Sequence, residues 1–169
     1  MTVKSMSVNF GDVNDSGFLV IRPGVYQANV IDWKMYVKEE TGNSIYQLEF
    51  EFLGGDYKGE KIRYWHNIGK DARSRGYLFN FYKNLGLVRD GDRAEDGNLI
   101  VDAVYGEVDE DGKTAINKLI VNGVERPTIG CKANLTVVNK EYNGNMTHAV
   151  KRIDPISVTP DGDVSDVPF

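Results

Sequence analysis

The alternation at residues 45–53 constrains this chain more than any other stretch. Tyr46, Leu48, Phe50 and Phe52 fall on one side, and Gln47, Glu49 and Glu51 on the other. A strand turns successive side chains to opposite faces, so this pattern makes a strand with one apolar and one polar face. The flanking sequence supplies strands to pair with it. Residues 25–38 are rich in β-branched and aromatic types, and residues 60–68 form a third strand. Residues 39–43 and 54–59, each carrying glycine among polar residues, are the turns between them.

The period then changes. Leu78, Phe81, Tyr82 and Leu85 recur at helical spacing, which predicts a helix over 71–86 with Asp71 as N-cap and Gly86 at its C-terminal end. Residues 87–129 hold two strand-like pieces, 99–104 and 118–124, separated by the acidic residues 107–112. Residues 131–138 and 146–153 make a last hairpin around 141–145, where Asn143-Gly144 is a strong turn signal. Residues 1–22 read as an N-terminal arm with at most one short strand near 18–21. Residues 154–169 are too polar to pack and are expected to be a disordered acidic tail.

Three antiparallel strands, a helix, an elaboration and two more strands is the order of the five-stranded OB barrel, whose helix sits between the third and fourth strands. The expected fold class is all-β to α+β, with an OB-fold-like barrel over 23–153 and an acidic elaboration at 87–129. Another α+β meander of similar make-up is the alternative.

Charge divides along the chain in a way the total of −5 conceals: residues 1–85 and 130–153 together carry +4, residues 86–129 carry −5 and residues 154–169 carry −4. A mildly basic body with acidic appendages suits a nucleic-acid binder better than the total does. No apolar run has the length of a membrane span, and the N-terminus lacks the apolar core of a signal peptide, so a cytoplasmic protein is expected. Cys131 is the single cysteine, which leaves no internal disulfide and no thiolate metal cage.

Binding a single strand without sequence preference requires cations along a groove and aromatic faces on which bases stack. If Ile62, Tyr64 and His66 point inward, Lys61, Arg63 and Trp65 point outward together. On the first strand Trp33 and Met35 alternate with Lys34 and Tyr36, so either face presents an aromatic. Lys132, Lys140, Tyr142 and Lys151 lie on or near the last hairpin, which commonly clamps the ligand in OB proteins. These ten residues are the candidate DNA contacts. A core position suits either tryptophan as well as a platform does, and the Lys-x-Arg-x-Trp alternation tilts Trp65 toward the platform. Glu49 and Glu51 oppose a DNA path on the same face unless a cation such as Arg63 or Lys34 answers them.

The tail carries the most specific motif. Asp161, Asp163 and Asp166 precede Val167, Pro168 and Phe169, which makes a flexible acidic ligand with a hydrophobic anchor. Its last residues resemble the acidic tip of bacterial and phage single-stranded DNA-binding proteins, which close on Asp-(Asp)-Ile-Pro-Phe. Here Asp166, Pro168 and Phe169 match, and Val167 stands for the isoleucine. The body, through Pro-Gly-Val-Tyr at 23–26, the glycine-bearing turn at 55–62 and Val-x-x-Lys-x-Tyr-Asn-Gly at 137–144, resembles small phage replication or recombination proteins. The resemblance implies a protein that coats single-stranded DNA and recruits helicase, primase, polymerase or nuclease through its tip. It departs from the bacterial proteins in its acidic elaboration and short tail, so oligomeric state does not carry over; a homo-oligomer and a monomer are both open.

Enzymatic motifs are missing from the sequence: there is no HExxH, no Gly-x-Ser-x-Gly, no phosphate-binding loop and no dinucleotide fingerprint. No catalysis, cofactor or metal is expected. The carboxylates Asp90, Asp92, Glu95, Asp96 and Asp102 read as solvated loop charges. The alternative function is an OB-like interaction module that binds no DNA and occupies replication-protein partners through the tip.

Overall fold

The structure, a computed structural model, describes residues 5–156. Its centre is β1 (Gly24–Val37), a long strand that serves three neighbours. Along one edge it pairs with β2 (Ser44–Phe52), from Ala28↔Phe52 to Val37↔Ser44. Along the other edge its first half pairs with β7 (Lys132–Tyr142), and Lys34 and Met35 pair with β5 (Thr114–Val121). The register with β2 slips between Val30 and Asp32, beside the point where one partner gives way to the next. Such an irregularity bends a strand and increases its twist, which lets β1 leave one partner and join another.

β2 continues to β3 (Lys61–Ile68), and β7 continues to β8 (Asn145–Asp154). The elaboration is built of β4 (Val101–Val108) and β6 (Val124–Pro127), which pair with β5 on its two sides. All the ladders are antiparallel. β3 and β8 run close to each other, and no ladder joins them among the described residues.

The alternation of β2 is realised on its inner face: Tyr46, Leu48, Phe50 and Phe52 are all buried. They meet Trp33 and Val30 of β1, Ile62 of β3, Leu135 and Val137 of β7, and Leu119 of β5 in one core. The helix α1 (Ala72–Asn84) closes this core with Phe81 and Tyr82. Asp71 caps it by accepting from the Ser74 amide at 2.8 Å, as the sequence predicts. Inside, the hydroxyls of Tyr46 and Tyr82 share a hydrogen bond of 2.6 Å, so both polar tips of these buried rings are satisfied.

Two boundaries differ from the sequence reading. The last hairpin is tighter than expected, its strands running to Tyr142 and from Asn145 with only Asn143 and Gly144 between, both at positive φ. The second strand-like piece of the elaboration does not run through 118–124. Asn122 (φ 43°) and Gly123 (φ 84°) fold it into a second two-residue hairpin joining β5 to β6. The acidic residues 107–112 lie largely in the β4–β5 turn. Arg126 of β6 anchors the loop after α1: it donates to Asp92 through both terminal nitrogens, at 2.6 and 2.8 Å, and to the Leu87 carbonyl.

Among its described residues the arm contains no extended strand, only an isolated bridge between Val13 and Leu19. Side-chain bonds hold it to the body: Asn14 donates to the Met146 carbonyl, and the Ile21 amide to Nδ1 of His148. Ile21 itself is buried in the core. The tail residues Asp161, Asp163, Asp166, Val167, Pro168 and Phe169 lie outside the described residues. No helix among those described is long and apolar enough to cross a membrane.

Candidate nucleic-acid interface

The outer face of β3 carries Lys61, Arg63 and Trp65, all exposed, while Ile62 is buried and Tyr64 is half-buried. Register sets Glu51, Glu49 and Gln47 of β2 directly opposite these three residues. The carboxylate conflict on this face is answered at one point, because Arg63 Nε approaches Glu49 at 3.5 Å. Trp65 has 51% of its surface open, and its indole N–H donates to Gln47 Oε1 at 3.1 Å, which fixes the orientation of the ring.

The seam between β3 and β8 is a groove. A cleft of about 510 Å³ is walled by Arg63, Tyr64 and Trp65 on one side and by Lys140, Tyr142 and His148 on the other. A neighbouring cleft shares Arg63, Trp65 and His148 and extends to Lys61 and Glu49. A third, on the helix side, shares Tyr64 and adds Tyr77, Lys151 and Arg152. Cations and open aromatic faces therefore alternate along the seam, with Tyr142 and Tyr77 both exposed. Six of the ten candidate contacts from the sequence line these clefts: Lys61, Arg63, Trp65, Lys140, Tyr142 and Lys151.

The other four lie elsewhere. Trp33 is 1% exposed, wedged edge-on between Tyr46 at 5.1 Å and Phe81 at 5.5 Å, and offers no face for stacking. β1 turns it inward because it stands on the same side as Val30, across the bulge, and opposite Leu48. Lys34 points outward, but its ammonium is held by Asp109 at 2.9 Å and Asp32 at 3.7 Å. Tyr36 is half-buried under the Lys113 ammonium, 5.1 Å from its ring centre. Lys132 begins β7 opposite Asn29 and lines none of the three clefts.

Tyr77, Arg152 and His148 join the seam without having been singled out in the sequence. Tyr77 had a readable signal, since it lies just outside the apolar stripe 78, 81, 82 and 85 of α1. Arg152 and His148 had none, because their role depends on where β8 docks.

His148 connects the groove to the arm. Its Nδ1 accepts the Ile21 amide at 2.9 Å, and burial holds its pKa below the ordinary imidazole value. A native pKa lowered in this way contributes stability that is complete above the unfolded value, about 6.5, and is lost as pH falls toward the native one. Protonation of Nδ1 also removes the acceptor. Hydrogen exchange at Ile21 is accordingly expected to accelerate below about pH 6.5 relative to the Val30 amide, which bonds the Cys131 carbonyl instead. A constant ratio of the two rates across that range would remove His148 as the latch.

Chemically the groove offers groups that can bind and orient a ligand. His66 stacks on Phe81 at 4.5 Å, and burial lowers its pKa. Among the described residues no group of three or more His, Cys, Asp or Glu side chains is arranged to hold a metal ion. Burial also raises the Cys131 thiol to about 11, so it is unreactive near neutrality.

Residues 8–76 match the family model described as "Protein of unknown function (DUF669)", a span that takes in most of the arm, β1 to β3 and the start of α1. No curated protein matches the chain.

Proposed function

We propose that this protein is a sequence-nonspecific single-stranded DNA-binding protein acting in phage DNA replication or recombination, and that it is not an enzyme. The observation that carries the proposal is the seam, where Arg63, Trp65, Lys140 and Tyr142 converge on a single cleft from β3 and the β7–β8 hairpin. Stacking on an open indole or phenol is tolerant of sequence, because every base has a π-face. The surrounding cations track the phosphates.

We also read the body as an OB-type barrel. The strand path β3-β2-β1-β7-β8, with its two ends side by side and α1 following β3, supports that reading. On this view β4–β6 are an insertion on the far half of β1. The acidic sequence at 161–169 is proposed to recruit replication partners, leaving DNA binding to the body.

The test is a fluorescence titration of the full chain with a dT oligonucleotide at several salt concentrations. Saturating quenching is expected. If Lys61, Arg63, Lys140 and Lys151 each displace one counterion, log K should fall with log salt at a slope of about −3, from about −0.7 per contact on single strands. A variant lacking residues 161–169 should bind the oligonucleotide at least as tightly. No binding by fluorescence or gel shift at low salt would overturn the proposal and favour the tail-bearing interaction module. Loss of binding on removing the tail would overturn the division of roles.

A further inference from the structure

One row of residues crosses the sheet beside the groove: Ala115 of β5, Lys34 of β1, Gln47 of β2 and Trp65 of β3 stand next to one another in register. Gln47 is the buried member, only 8% exposed. Its Oε1 accepts from Trp65 Nε1 at 3.1 Å and from Lys113 Nζ at 2.9 Å. An indole N–H and an ammonium can only donate, so the amide oxygen must face them and the amide cannot be turned over. With two donors on its oxygen, the acceptor side of Gln47 is filled. Its Nε2, carrying two N–H donors, has no acceptor among the described residues.

The holders are themselves fixed. The Lys113 amide donates to Asp109 Oδ1 at 2.9 Å, and Asp109 also binds Lys34. The β4–β5 turn thus clamps the oxygen of Gln47 and leaves its donors free beside a half-open indole. A base lying on the β2 side of Trp65 would bring one edge over Gln47, the next residue of the row. An oriented donor at that place needs a base acceptor, and a carbonyl is the best one available.

We propose, building on the single-strand-binding reading, that Gln47 is a specificity-determining residue: its Nε2 donates to the O2 carbonyl of a pyrimidine stacked on Trp65 and biases binding toward pyrimidine tracts. O2 is common to thymine and cytosine, whereas adenine presents only ring nitrogens as acceptors. Stacking accepts every base, so Gln47 superimposes a preference on general affinity and does not impose a sequence requirement.

The experiment compares dT, dC and dA oligonucleotides of equal length on the full native chain, Q47E and Q47M. Q47E keeps an acceptor for Trp65 and Lys113 and removes the donor; Q47M removes both, and circular dichroism checks each fold. The native chain is expected to favour dT and dC over dA. In both variants the dT-to-dA affinity ratio should fall by about three- to tenfold, the net effect of one hydrogen bond. An added carboxylate weakens binding to any phosphate chain, so a uniform loss with the ratio kept overturns the inference. Equal native affinity for all three oligonucleotides overturns it too, and leaves the DNA-binding reading standing. No native binding to any of them removes that reading and this one with it.

Discussion

Trp65→Ala is expected to lower affinity for a dT oligonucleotide by about ten- to a hundredfold while leaving the fold intact. The size follows from the loss of one stacking platform, about 1–3 kcal/mol per base. The selectivity for binding over stability follows from exposure. Half of the Trp65 surface is already in solvent, and its one polar contact is the bond to Gln47. Truncation therefore removes little core area. Trp65→Phe keeps a stacking face and loses the indole donor, so it should retain most of the affinity. Titration of the two variants against the native chain at one salt concentration checks this. An alanine variant that binds within twofold of native would take Trp65 out of the interface.

Trp33→Ala has the opposite signature. This ring is enclosed by Tyr46, Phe81 and the β2 core, and replacing a buried tryptophan by alanine typically removes about 3–5 kcal/mol. That is a large share of the roughly 5–15 kcal/mol that holds a native domain together. A strongly lowered urea midpoint or an unfolded variant is expected. Trp33→Phe should be much milder, because Trp33 Nε1 has no hydrogen-bond partner to lose. Where that variant folds, its DNA affinity should equal that of the native chain. A clear loss of affinity with unchanged stability would return Trp33 to the binding surface.

The two tryptophans show how far the sequence could be read. The β2 alternation predicts a buried face and an outer face, and the structure has both, so the placement of Lys61, Arg63 and Trp65 follows from strand period alone. Strand period does not say which face of β1 is inner. Trp33 and Lys34 alternate equally well in either sense, and the choice is made by the bulge near Val30 and by the arrival of β5 and β7. Burial of Gln47 was equally invisible: a polar residue on a polar face is expected to be wet, and it is covered because Lys113 arrives from a turn 66 residues away. The Asn-Gly pair occurs twice and was legible as a turn only once. At 143–144 it marks the last hairpin; at 122–123 the surrounding run of apolar residues masks the same turn chemistry. What pattern reading recovers is local geometry, and what it misses is set by contacts between distant segments.

The divided pairing of β1 has a consequence for how the chain reaches its native state. The first half of that strand has no partner on one edge until β7 is present, and the Gly24↔Val137 and Asn29↔Lys132 pairs each join residues more than a hundred positions apart. Closing so long a loop is entropically unfavourable before the contacts it makes possible can form, and topologies dominated by such contacts fold slowly. An emerging chain therefore carries an open β-edge through most of its synthesis, and an unpaired edge can be captured by another chain. Residues 8–76, though they include β1 to β3, leave that edge bare. The smallest stretch of sequence able to satisfy β1 runs from Gly24 to Val137, through every other element except β8.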